Sequence, residues 1–147
     1  MARVPKPRDI IDRKALTGDL ADLIGGKASA LRPQAIELFK AALTVGRTEI
    51  RRRFEKAAAP GSEVVRANSY LIDQLVRSLY DFTLTHLYPV ANPTKGEQLT
   101  LAATGGYGRG ELAPYSDIDL LFLLPYKLTP HGEQVIESLL YMLWDLG

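Results

Sequence analysis

Residues Thr100–Leu124 read TLAATGGYGRGELAPYSDIDLLFLL. Leu99 to Thr104 has the composition of a short strand, and Gly105 to Tyr115 is a glycine-rich connection. Asp117 to Leu124 predicts a second strand, closed by Pro125. Successive strand side chains point to opposite faces, so Asp117 and Asp119 share one face with their Cα atoms about 6.5–7 Å apart. Ile118, Leu120 and Phe122 alternate with Asp119, Leu121 and Leu123, so this strand is apolar on both faces except at the two acids. Two acids in a core-like strand are costly unless something compensates their charge. Divalent cations do so, and Mg²⁺ commonly shares its oxygen ligands between carboxylates and substrate phosphates.

The glycines fit the same chemistry. Gly105 and Gly106 follow the first strand, where the backbone turns and opens its N–H groups to a close-approaching ligand. Consecutive N–H groups in such a turn make an anion-binding concavity. Arg109 in the same loop is placed to hold phosphate oxygens through charge-assisted hydrogen bonds. Ser116 adds a hydroxyl beside Asp117.

Each signal has an ordinary reading when taken alone. A lone D-x-D usually sits on a solvated surface, and a lone Gly-Gly is usually a turn. The dinucleotide pattern fails from Gly106, because Glu111 stands where its last glycine belongs. Counted from Gly108 it is met only with Ala113, and Pro114 and a strand follow where a helix is required. The P-loop pattern fails as well, for no Gly-Lys-Ser/Thr follows. What is specific is the combination of a strand, Gly-Gly, ten intervening residues and D-x-D in an apolar run.

Upstream, the periodicity becomes helical. Ile36, Phe39, Leu43, Ile50 and Phe54 recur at helical spacing, with Arg47 at the missing step, and Pro33 suits a first turn. Ala58-Ala59-Pro60-Gly61 ends that helix, and Ser62 offers an N-cap for the next. There Leu71, Leu75, Leu79 and Phe82 form one stripe, flanked by Ile72, Val76 and Tyr80, and Pro89 closes the element. Two amphipathic helices joined by a short loop predict a helical hairpin over residues 32–89. Residues 1–31 read as a loosely organised segment, with Pro5, Pro7 and Gly25-Gly26 as breakers and one short helix near Asp12 to Ile24. Val90 to Glu97 is a Pro/Asn/Gly/Lys loop, so a catalytic portion starts near residue 90 and runs to 147. Thr129-Pro130 opens a third helix with Ile136, Leu139, Leu140 and Leu143 as its stripe.

The bulk numbers set bounds. A chain of 147 residues holds about one domain. A net charge of +1 gives no broad pull toward nucleic acid or membrane, so neither is expected as a partner. Cysteine is absent, which removes a disulfide framework and any thiolate metal site. The N-terminus lacks the apolar stretch of a signal peptide, and a cytoplasmic protein is the expectation. The chain stops at Gly147 straight after the apolar run Leu139–Trp144, so its natural sequence is expected to continue.

A strand ending in Gly-Gly, followed at this distance by D-x-D, resembles the polymerase-β-like nucleotidyltransferases. Within them, GGYGRGELAPYSDIDLL is similar to the bacterial PII uridylyltransferase/uridylyl-removing enzymes. Gly46–Glu55 (GRTEIRRRFE) and Ser69–Leu75 (SYLIDQL) resemble the N-terminal helices of that family. The resemblance implies an α+β fold: a helical hairpin followed by the start of a mixed nucleotidyltransferase sheet with flanking helices. It implies UTP as substrate, Mg²⁺ or Mn²⁺ as cofactor and a tyrosine hydroxyl of the PII signal protein as acceptor. Asp117 and Asp119 are then the catalytic metal ligands, with Gly105, Gly106, Arg109 and Ser116 on the phosphates. It further implies a third carboxylate on a later strand. Glu133, Glu137 and Asp145 all fall in the third helix and do not supply it.

The rival readings are adenylyl transfer, as in the glutamine synthetase adenylyltransferases, and a non-catalytic nucleotide-sensing module. The longer GYGRGELAPY stretch favours the uridylyl branch, and the presence of both aspartates speaks against a dead site. Arg47, Arg51, Arg52 and Arg53 read as a solvated helix face. His86 and His131 read as structural, and Tyr107 and Tyr115 as loop tyrosines flanking the site.

Overall fold

Residues 3–92 and 94–147 are described by a computed structural model. Met1 and Ala2 of the N-terminal segment, and Pro93 of the connecting loop, lie outside the described residues. Helices α1 (Pro7–Ile10), α2 (Arg13–Asp22), α3 (Ala28–Lys56) and α4 (Gly61–Phe82) come first. A π-helical turn, Thr83–Leu87, and a 3₁₀ turn, Lys95–Glu97, lead to strand β1 (Thr100–Ala103). Then follow α5 (Gly105–Gly108), β2 (Leu120–Leu123) and α6 (Pro130–Leu146). The strands form an antiparallel pair in register Thr100↔Leu123 to Ala103↔Leu120. The result is α+β: a helical hairpin beside a two-stranded sheet flanked by helices.

The hairpin α3–α4 is held by a seam that the sequence only partly reveals. On α3, beside the buried Ala35, the seam runs through Ile36, Phe39, Leu43, Gly46, Ile50 and Arg53. This steps by alternating threes and fours, so Gly46 takes the place expected for Arg47 and Arg53 the place expected for Phe54. Arg47 and Phe54 are exposed. The physical cause lies at Gly46, where an added Cβ would stand 2.5 Å from Leu71 Cδ1 and 2.9 Å from the Ile10 carbonyl oxygen. Only a residue without a side chain lets α4 and the end of α1 approach so closely. On α4, Leu71, Ile72, Leu75, Val76, Leu79 and Phe82 are buried as the stripe predicts. Phe39 and Phe82 close the far end of the seam edge to face, with ring centroids 6.3 Å apart.

Two helix starts differ from expectation. Helix α3 starts at Ala28, so Pro33 lies inside it rather than in its first turn. The cost is one helical hydrogen bond, offset by the buried seam that follows. Helix α4 starts at Gly61 with Pro60 in the capping position, which places Ser62 within the first turn instead of at the N-cap. Past Phe82 the helix widens, and Tyr88 N–H bonds the Thr83 carbonyl at 2.8 Å, before Pro89 ends it.

The N-terminal segment is more ordered than its composition suggests. Asp12 caps α2 by accepting from Ala15 N–H at 3.0 Å. Ile10, Ile11, Leu16 and Leu20 are buried in the common core. Arg13 pairs with Asp81 and ties α2 to α4. Arg53, expected on a solvated face, reaches under this segment and donates to the Pro5 and Lys6 carbonyls at 2.6 and 3.0 Å. Helix α2 is the short helix expected near Asp12 to Ile24, whereas α1, with Pro7 at its start, was not announced by any periodicity.

Helix α6 also buries a rotated face. Val135, Leu139 and Met142 are buried, whereas Ile136, Leu140 and Leu143 are half-buried. Small residues explain the shift, since Gly132 and Ser138 lie on the buried side and let α6 sit close to its neighbours. Among the described residues no helix is long and apolar enough to cross a membrane.

Candidate functional site

The site lies where β1, the glycine turn and the approach to β2 meet. After Ala103 the chain leaves the sheet and coils at once into α5, so the ladder ends at Ala103↔Leu120. One further backbone bond, Thr104 N–H to the Asp119 carbonyl at 3.0 Å, holds the two segments together. Asp117 and Asp119 therefore precede β2 in an extended stretch rather than lying inside the strand. Both are exposed. The face expected to be core-like is open in this chain: Leu121 and Leu123 are 49% and 47% exposed, while Leu120 and Phe122 pack inward.

Gly105 brings the turn against the acids. Its φ is +58°, in the left-handed region that favours glycine, and a Cβ there would run into the Asp119 carboxylate. The Gly105 and Gly106 N–H groups open the single turn of α5 and donate no backbone hydrogen bond among the described residues. Arg109 leans back over the turn, with its guanidinium 3.9 Å from where a Cβ on Gly106 would be. It also meets Glu111 at 3.4 Å, a long and exposed pair worth little in water. Asp117 and Asp119 enter no ion pair among the described residues. Two unpaired carboxylates, Asp119 against the glycine turn and Asp117 two residues before it, with unpaired N–H groups and a guanidinium at that turn, suit a divalent cation that shares a phosphate. As oxygen donors the two acids fit such a cation in part, since Mg²⁺ takes its remaining ligands from phosphates and water. No group of three or more His, Cys, Asp or Glu gathers around one point among the described residues. Glu133, Glu137 and Asp145 are exposed on α6.

The predicted residues do not all meet. Gly105 and Asp119 are in contact, and Gly106 and Arg109 adjoin them. Ser116 lines, with Ile118, a cleft of ≈ 550 Å³ between α3, α4 and the loop. Asp117 and Asp119 are not among the residues that line it. The tyrosines part company too. Tyr107 is buried, and burial pushes its hydroxyl above the ordinary range, with nearby Asp73 adding to the shift and Arg77 opposing it. Tyr115 is 96% exposed at φ +65°. His131 bonds the Tyr88 carbonyl at 2.9 Å, and His86 stacks near Phe82, so both are structural.

Sequence reasoning missed Asn68 and Ser69. Both are buried on α4 and grip the loop ahead of Asp117. Asn68 Nδ2 donates to the Leu112 and Ala113 carbonyls at 3.1 and 3.3 Å, and Ser69 Oγ accepts from Leu112 N–H at 2.9 Å. The available signal was two adjacent polar residues directly preceding a buried stripe.

Residues 92–144 match the family described as "Nucleotidyltransferase domain". The chain is 55% identical over 99% of its length to the bifunctional uridylyltransferase/uridylyl-removing enzyme of Azospirillum brasilense. It is 54% identical over 99% of its length to that of Rhodospirillum rubrum, and 51% identical over 94% to that of Caulobacter vibrioides. Over nearly its whole length the chain is thus similar to the bifunctional uridylyltransferase/uridylyl-removing enzymes. It spans about 16% of the length of the first two relatives and 15% of the third. No solved structure matches it significantly. The family match begins ahead of β1 and ends within α6, so it takes in the glycine turn, D-x-D and both strands. The hairpin lies outside that match but inside the alignment with the relatives.

Proposed function

We propose that this chain provides the glycine turn and paired carboxylates of an enzyme that transfers a uridylyl group from UTP to a tyrosine hydroxyl of the PII signal protein, releasing pyrophosphate, in the cytoplasm. The observation that carries the reading is the approach of Gly105 to the Asp119 carboxylate. It puts unpaired N–H donors and unpaired oxygen acceptors within one phosphate's reach. The names of the relatives favour the uridylyl branch over adenylyl transfer.

In this reading Asp117 and Asp119 hold Mg²⁺ or Mn²⁺, which supplies charge to the phosphate oxygens when bound. Gly105 and Gly106 donate their N–H groups to the β- and γ-phosphates. Arg109 exchanges its weak Glu111 contact for those same oxygens, where a charge-assisted bond is stronger. Ser116 helps to hold the approach to Asp117. The tyrosine oxygen forms the new bond to the α-phosphorus, and the bond from that phosphorus to the leaving pyrophosphate breaks.

The test is to incubate the full-length protein with PII and Mg²⁺, supplying UTP or ATP, and to weigh PII by mass spectrometry. A uridylyl adduct that requires Mg²⁺ is expected. An adenylyl adduct instead would move the chain to the adenylyltransferase branch. UTP binding that is indifferent to Mg²⁺, without any adduct, would make it a sensing module. Asp117→Asn and Asp119→Asn should each lower the transfer rate by more than about tenfold, which is about 1.4 kcal/mol. Rates inside that limit contradict the assignment of these two acids.

A further inference from the structure

The α4 pair Asn68 and Ser69 holds the segment from which Asp117 emerges. Ala113 to Ser116 is a tight turn in which Ser116 N–H bonds the Ala113 carbonyl at 3.1 Å. Pro114 occupies its second position and Tyr115 its third, with φ +65°, the pattern of a type II turn. The Ala113 carbonyl thus receives two donors, the Ser116 N–H from within the turn and the Asn68 side-chain amide from α4. One residue earlier, both polar groups of Leu112 are satisfied by α4: its N–H by Ser69 and its carbonyl by Asn68. Ser69 Oγ in turn donates to the Val65 carbonyl at 2.8 Å, which fixes its rotamer. Leu112 itself is 2% exposed, and its bonds to Asn68 and Ser69 are buried, while the Asn68 bond to the Ala113 carbonyl is part-buried. Buried polar groups that find partners rigidify what they hold.

The chain of contacts is directional. It runs from Asn68 to the Ala113 carbonyl, to the Ser116 N–H and so to Asp117, the next residue. On the other side of the site, Tyr107 anchors the glycine turn by burial. The open, exposed acids therefore depend for their position on contacts made on the far, buried side of the same loop.

We propose that Asn68 and Ser69 are positioning residues, which fix where Asp117 leaves the loop by holding the Ala113–Ser116 turn immediately ahead of it. The proposal rests on the uridylyl-transfer reading for its kinetic consequence and on the contacts alone for its structural one. Asn68→Asp keeps the shape of the side chain but sets a carboxylate oxygen against the two carbonyls. Ser69→Ala removes the acceptor for Leu112 N–H and leaves that buried donor unpaired. Each should lower kcat about tenfold or more while changing KM for UTP much less, because an ångström-scale displacement of a reacting group acts on the chemical step. Each should also raise the Mg²⁺ concentration needed for half-maximal rate.

The experiment compares the full-length wild type with Asn68→Asp, Ser69→Ala and Leu79→Ala. The last is a core variant ten residues further along α4 with no contact to the loop, and it controls for loss of stability. Hydrogen exchange of amides 104–119 in the ligand-free proteins is measured first, followed by kcat, KM and Mg²⁺ dependence at a temperature where all remain folded. Faster exchange at 112–117 with lower kcat and a raised Mg²⁺ requirement, seen in the two clamp variants and not in Leu79→Ala, supports the proposal. Unchanged exchange in the clamp variants overturns it, as does faster exchange with wild-type kinetics. Equal kinetic losses in Leu79→Ala reduce the effect to stability and overturn it as well. A wild type that transfers nothing, yet shows the local exchange difference, refutes the uridylyl-transfer reading and leaves the clamp in place.

Discussion

At the scale of single residues, two backbone conformations carry the site. Gly105 is positive in φ with a carboxylate where its side chain would be, so Gly105→Ala meets both obstacles at once. Strain of about 1–3 kcal/mol is expected from the backbone alone, and the displaced Asp119 adds a loss of transfer activity. Folding stability by urea titration and transfer rate, measured together, should both fall. A variant with the wild-type rate would show that the turn does not need to approach Asp119. Tyr115 is the converse case. It holds a left-handed φ in which non-glycine residues are uncommon, and with 96% of its surface exposed it has almost no packing to lose. Tyr115→Gly should therefore be neutral or stabilising by up to about 1 kcal/mol, against the loss usual for a large residue replaced by glycine. A drop in stability greater than that would mean the ring makes contacts that its exposure conceals. The approach of the glycine turn to Asp119 was legible in the spacing of strand, Gly-Gly and D-x-D. Asn68 and Ser69 were not, since their roles depend on contacts 44 and 43 residues away along the chain.

Among the elements, the hairpin seam shows how periodicity both informs and misleads. The α4 stripe was legible because Leu71, Leu75, Leu79 and Phe82 are large and apolar at steady helical spacing. On α3, two seam positions are filled by glycine and arginine, residues that a hydrophobic count passes over. Arg53 belongs there because its fork is fully used: Glu49 takes Nε at 2.9 Å, and the Pro5 and Lys6 carbonyls take the other two nitrogens. Glu49 receives both Arg52 and Arg53, and their hydrogen bonds hold its carboxyl at about 2, below the ordinary 4.5. The folded state therefore resists protonation more than the unfolded chain does. The resulting stabilisation is present in full above about pH 4.5 and is lost as pH falls toward 2. Glu49→Gln should cost stability at pH 7, and the gap to wild type should close across that window. Urea unfolding at several pH values measures it. A gap that is constant or that widens on acidification would show that the carboxyl is not held in this way. Because Arg53 also grips the segment before α1, Glu49→Gln should loosen residues 5–10 as well.

On the scale of the whole molecule, the described surface is uneven. Val45 and Phe54 stand exposed on α3, Leu121 and Leu123 on β2, and Tyr141 and Trp144 on α6, the last 70% exposed. Strand β2 pairs with β1 along one edge only, and its other edge offers open backbone groups flanked by leucines. Such an edge is a template for pairing with another chain. Asp117 and Asp119 precede the same strand, and the described residues bring no third acid to them. Polymerase-like sites, as the resemblance implies, use three carboxylates, two on one strand and one on a neighbour. Glu133, Glu137 and Asp145 are held on α6, exposed and away from any strand beside Asp117. Purified alone, residues 1–147 should therefore show no uridylyl transfer to PII with Mg²⁺ or Mn²⁺. They should bind Mg-UTP weakly, because two carboxylates and a short glycine turn hold the nucleotide at one end only. They should also self-associate, visible as concentration-dependent sedimentation. Replacing Leu121 and Leu123 with lysine, which blunts an exposed edge, should reduce that association without altering the helical hairpin. Robust turnover by the isolated chain would mean that Asp117 and Asp119 complete the metal site between them, and the three-carboxylate account would fall. A monomeric but inactive chain would instead separate the two halves of the argument: the acid set would be incomplete as expected, while the open edge would be protected by its own twist and charge.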